Sequence, residues 1–86
     1  MEEPVYLEFH WEDVSSNHGS GEILYRVFVG TVNWTKRAGG EKVAFVILMK
    51  YDGRLAYHIP AHILEEDAGA VFDALECMRV WRASSS

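Results

Sequence analysis

Four stretches of this chain carry strand-like patterns, and a fifth repeats at helical spacing. Val5, Leu7, Phe9 and Trp11 alternate with Tyr6, Glu8 and His10, which predicts a half-buried strand over Val5 to Trp11. Ile23 to Thr35 predicts a long second strand, with Gly30 marking a bulge or a close approach of backbone. Val43 to Met49 (VAFVILM) is apolar at every position, so the third strand, Lys42 to Tyr51, has two faces that both avoid water. Asp52-Gly53 suits a two-residue type I′ turn, which needs positive φ at both positions, and Leu55 to Ile59 follows as the fourth strand.

Pro60 ends the ladder, because it has no N–H to donate and its fixed φ suits a helix start. Beyond it Leu64, Ala68, Val71, Leu75 and Met78 form one stripe of an amphipathic helix ending near Arg82. Glu65, Glu66 and Asp67 at its start and Arg79 and Arg82 at its end complement the helix dipole. Gly69 leaves a second possibility, a short turn followed by a helix from Ala68. Residues 12–22 (EDVSSNHGSGE) read as a mobile connection and the terminal serines as a frayed tail. The expected fold is a single α+β domain over residues 1–86. It is a four-stranded antiparallel meander (ββββα) with the C-terminal helix packed on one face.

Pairing across the turns assigns the faces. Asp52-Gly53 sets Tyr51 opposite Arg54 and Met49 opposite Ala56. If Thr35 and Lys42 close the preceding hairpin, Phe28 lies opposite Met49, Val32 opposite Phe45 and Trp34 opposite Val43. One face then carries Val27, Val29, Val46, Leu48 and Tyr57, and the other carries Phe28, Val32, Trp34, Phe45, Ile47, Met49 and His58. A slip of one residue in that turn exchanges the faces of the second strand. One helix covers one face, so the second calls for a cover: another copy of the chain, a different protein, or the chain's own first strand. The expected binding residues are therefore Phe28, Val32, Trp34, Phe45, Ile47, Met49 and His58, with Trp34 the leading hot spot.

Composition narrows the function classes. At 86 residues the chain makes one modest core, and 49% hydrophobic content is more than a disordered tail carries. The single cysteine, Cys77, permits no internal disulfide and reads as a small packing residue beside the helix stripe. No charged-then-apolar leader precedes the first strand, so a reducing cytoplasm is expected, and no apolar run is long enough to predict a membrane helix. The Asn33-Trp34-Thr35 triplet matches a glycosylation acceptor but carries little weight without a secretion signal. A net charge of −5 disfavours nucleic acid and favours a basic protein partner, with Glu65, Glu66 and Asp67 guiding its approach.

Candidate chemistry is sparse. His58 and His62 stand four apart, a metal spacing on a helix that Pro60 interrupts, which leaves a ligand or metal site there as an alternative. Lys36, Arg37 and Lys42 beside Trp34 form a basic hairpin with a stacking aromatic, the alternative for a nucleic acid. Neither glycine pair is followed by the lysine and helix that a phosphate loop needs. The expectation is a small acidic cytosolic protein without enzymatic activity or cofactor, acting by surface occupation and homodimeric through a sheet face. In size and charge it is similar to inhibitor, immunity and accessory proteins of the kind phages and mobile elements encode.

Overall fold

Strands β1 (Val5–Ser15), β2 (Ile23–Asn33), β3 (Lys42–Tyr51) and β4 (Arg54–Ala56) form one antiparallel sheet in the order β1-β2-β3-β4, and α1 (Glu65–Ser85) lies across one face. This is the meander-plus-helix expected from the pattern. The structure is a computed structural model that describes residues 5–19, 22–35, 37–57 and 60–85. The expected placements of His58, Ile59 and Lys36 lie outside the described residues.

Element limits depart from expectation in five places, one of them the end of α1, which passes Arg82 and takes in Ser84 and Ser85 of the expected tail. β1 continues through Glu12 to Ser15, so four residues expected in the connection belong to the strand. β2 stops at Asn33, two residues early. β4 is three residues long. α1 starts at Glu65 and runs through Gly69 without a break, because the tertiary contacts of Val71, Ala74 and Met78 outweigh one unfavourable propensity.

The β3–β4 turn is as expected: Asp52 (φ 49°) and Gly53 (φ 86°) both adopt positive φ, and Tyr51 pairs with Arg54. The β2–β3 register is not. Tyr25, not Phe28, faces Met49, and Val29, not Val32, faces Phe45, a displacement of three residues. Asn33 is the cause. Its Oδ1 accepts the backbone N–H of Thr35 at 3.0 Å and the Thr35 hydroxyl at 2.8 Å, and its Nδ2 donates to the Arg37 carbonyl at 2.9 Å. This side-chain turn competes with the ladder and draws Trp34 and Thr35 out of the strand.

An odd displacement turns every β2 side chain to the other face. The helix-bearing face therefore carries Tyr25, Val27 and Val29 with Phe45, Ile47 and Met49, and these pack against Val71, Ala74 and Met78. Phe28 and Val32 lie on the opposite face with Val46 and Leu48, which corrects the expected grouping. The middle of that opposite face is closed from within, with Phe28 and Leu48 buried and no helix over them, while Trp11 and Tyr57 stay open at its margins. Tyr6 meets Phe28 edge-on at 5.9 Å and stacks on Tyr57 at 5.3 Å, so a ring from β1 and one just past the end of β4 roof the middle of the sheet. Cys77 faces outward from α1, because the buried stripe falls on Asp67, Val71, Ala74 and Met78.

Two glycines give opposite expectations. Gly69 is exposed and a Cβ there meets nothing, so Gly69→Ala should raise stability by up to about 1 kcal/mol in urea denaturation. Gly30 sits where β1 shifts register between Glu8 and His10, and a Cβ there would lie 1.9 Å from the Leu7 carbonyl oxygen, so Gly30→Ala should cost about 1–3 kcal/mol in the same assay.

Candidate functional site

Three clusters could carry function, and each is built from a different part of the sequence. The first joins the β1–β2 loop to the start of α1. Asp67, expected as a solvated acid, is 3% exposed. It accepts the Tyr25 hydroxyl at 2.7 Å and the Asn17 backbone N–H at 3.0 Å, and Asn17 Nδ2 also donates to it. Tyr25 in turn accepts the Leu64 N–H at 3.2 Å. The Tyr25 hydroxyl and the Asn17 donors favour the charged carboxylate and hold Asp67 below its ordinary value despite burial. Burial, then the bond to Asp67, pushes the Tyr25 phenol up. Every strong donor here is already spoken for by the fold, so the cluster is a clasp. Ser16 and His18 beside it pair Oγ with Nδ1, a nucleophile-and-base pairing in residue type. Ser16 Oγ also accepts the His18 backbone N–H at 3.1 Å, which is the geometry of a local loop turn.

The second cluster lies on the opposite face. Arg26 projects from mid-β2, its guanidinium 3.9 Å above the Trp11 ring. Its Nη1 donates to Glu8 at 3.0 Å, its Nε and Nη2 hold Asp13, and Lys50 reaches Asp13 at 3.3 Å. Burial alone would raise the Asp13 carboxyl, but the hydrogen bonds and charges of Arg26 and Lys50 outweigh it and hold the group below its ordinary value. The Asp13 hydrogen bond, against partial burial, raises Arg26. The residues missed in the sequence were legible in one respect. Arg26 and Lys50 both occupy even positions, so a charged residue within each long strand marks the face that has no helix.

The third cluster is apolar and open. α1 lies over β1 and β2, and a groove of about 210 Å³ remains between it and β3, lined by Phe45, Phe72 and Leu75 with the Glu76–Arg79 ion pair at its rim. Phe45 is 43% and Phe72 56% exposed. Val43, and Leu7 on the neighbouring row across Thr31, extend this uncovered surface along the same side of the sheet.

Of the expected binding residues, the structure brings Phe45, Ile47 and Met49 to the helix-bearing face, Phe45 open and Met49 buried under Tyr25 and the helix. Phe28 and Val32 are sealed on the other side. Trp34, 66% exposed, stands in the turn and belongs to neither face. Glu65 and Glu66 are exposed, while Asp67 is withdrawn into the clasp. His62 is exposed and His58 lies outside the described residues. Among the described residues no three His, Cys, Asp or Glu side chains converge as a metal site, and no helix is long and apolar enough to cross a membrane. Comparisons with family models, curated proteins and solved structures found no match.

The clasp and the Arg26 cluster predict acid sensitivity. Asp13 and Asp67 both have folded-state pKa values depressed below 3.8, so the stability they add is present above that value and lost as pH falls through the lower, folded one. Melting temperature should be level above about pH 5 and decline below about pH 4, and Asp67→Asn should lower the plateau and flatten the decline. Tyr25→Phe should cost about 1–3 kcal/mol, since it takes one of three donors from the Asp67 carboxylate and leaves the Leu64 N–H without its acceptor.

Proposed function

We propose that this chain is a protein–protein interaction module that acts by surface occupation through the side where α1 meets β3. One observation carries the reading: Phe45 of β3 and Phe72 of α1, both well exposed, meet across an open groove whose floor is apolar and whose rim is an ion pair. Leu7, Val43, Phe45 and Phe72, open to water together, form the kind of patch that polar-rimmed contact sites present. The Glu76–Arg79 pair supplies that rim and gives direction to a docking surface.

The charge of −5, with Glu65 and Glu66 exposed at the start of α1, favours a partner with a basic surface and speeds its approach at low salt. The two clusters with polar chemistry are occupied by their own hydrogen bonds and ion pairs, which supports contact rather than catalysis as the activity.

Phe72 is well exposed, so Phe72→Glu should leave the melting temperature within the range of ordinary surface substitutions, about 0.5 kcal/mol. The immobilised variant should lose the protein that wild type captures from the native host's lysate. Asp73→Lys, an exposed neighbour that does not line the groove, should keep it. Equal capture by Phe72→Glu and wild type would reject the groove as the working surface.

A further inference from the structure

β3 has a partner on each side only at its end. β2 pairs with it from Lys42 to Tyr51, but β4 pairs only with Met49 to Tyr51. Among the described residues, Lys42 to Leu48 therefore form a bare sheet edge. Native edges are ordinarily blunted by charge, proline or a bulge, whereas this one reads Lys-Val-Ala-Phe-Val-Ile-Leu with a single lysine at its outer limit.

The hydrogen-bonding sense of this edge follows from the turn. Residues flanking a two-residue hairpin turn exchange both bonds, so Tyr51 directs its N–H and C=O toward β4. By the alternation of a strand, Met49, Ile47, Phe45 and Val43 point the same way, and Ala44, Val46 and Leu48 point toward β2. The Asp52 N–H bonded to the Glu22 carbonyl at 2.9 Å fits the same phase, an even position turned toward β2. Val43, Phe45 and Ile47 thus present a row of main-chain donors and acceptors to the vacant side.

We propose that a second copy of this chain fills the edge. The two β3 strands pair antiparallel about a two-fold axis at Phe45, which joins the two sheets into one of eight strands. The bare window runs from Lys42 to Leu48, so its midpoint is Phe45. Pairing there sets Val43 against Ile47 of the second copy and Ala44 against Val46, with no residue of either β4 in the way. All outward groups are used, giving about six inter-chain backbone hydrogen bonds over a seam about 24 Å long.

Charge permits the meeting of two acidic copies at this place. Lys42 and Arg79 border the edge and groove together with Glu41 and Glu76, so the local charge cancels. Glu12, Glu22, Asp52, Glu65 and Glu66 lie on β1, at the far end of the hairpins and at the start of the helix. A seam of one strand pair with its flanking Val43, Phe45 and Val46 side chains belongs to the small interfaces, below about 1,200 Å² in total, so a concentration-dependent dimer is expected. The edge adjoins the groove and its apolar patch, with Val43 and Phe45 common to edge and patch, but the edge is read by the Val43 backbone and the groove by Phe72, so Val43→Pro and Phe72→Glu separate the failure of one from that of the other.

Sedimentation velocity of the full chain should show a species of twice 9.8 kDa whose fraction rises with concentration. Over the same range, the amides of Val43, Phe45 and Ile47 should gain protection from hydrogen exchange, while those of Ala44 and Val46, bonded to β2, stay protected throughout. Val43→Pro removes an outward N–H and no β2 bond, so it should keep the circular dichroism of wild type and weaken dimerisation by about tenfold or more. Phe45→Lys, which places a charge at the axis, should do the same and serves where the proline variant fails to fold. A 9.8 kDa species at every concentration, with Val43 and Phe45 amides exchanging freely, overturns the proposal. So does a dimer that survives both substitutions unchanged.

Discussion

The architecture depends on the Asn33 turn. By bonding Thr35 and the Arg37 carbonyl, one carboxamide ends β2 and sets where β3 begins its return. The pairing that follows decides which β2 side chains meet the helix. Tyr25, Val27 and Val29 then form the main core with Val71, Ala74 and Met78, and Phe28 and Val32 are left to the other face. A register displaced by an odd number would put Arg26 under the helix, where its charge would have no partner of the kind Glu8 and Asp13 provide.

With that register in place, the two faces solve burial differently. The helix-bearing face uses aliphatic packing, and its start is anchored by Asp67 holding both Tyr25 and the β1–β2 loop. The opposite face uses rings and ion pairs: Tyr6 and Tyr57 roof Phe28, and Arg26 lies between Trp11 and two carboxylates. Amphipathic side chains cover apolar surface with their stems and rings while their polar ends meet water or one another. Such a roof buries Phe28 without a second helix.

What remains uncovered is a consequence of where α1 sits. Its line over β1 and β2 leaves the outer half of β3 without a cover on the helix side, and among the described residues β4 pairs with only the last three residues of β3. Phe45 is at the meeting of these two vacancies. The apolar run of β3 therefore faces a sealed surface on one side and an open groove on the other, and the proposed contacts belong to the second.

The sequence by itself determined the number and order of the strands, the limits of β3, the Asp52-Gly53 turn and a single C-terminal helix. Each of these is set by local rules: period-two alternation, positive φ at two adjacent positions, and apolar spacing of three and four. Arg26 and Lys50 also marked the helix-free face, had they been weighed against the apolar count. Only the tertiary structure decided the β2–β3 register, the burial of Asp67, the outward turn of Cys77 and the closure of the second face. These depend on which side chains meet across distances the chain's own order does not encode: Asn17 and Asp67 lie 50 residues apart, yet share a hydrogen bond. Counting apolar positions measures how much surface must be hidden, but which partner hides it is settled by register, and register here turns on one amide side chain.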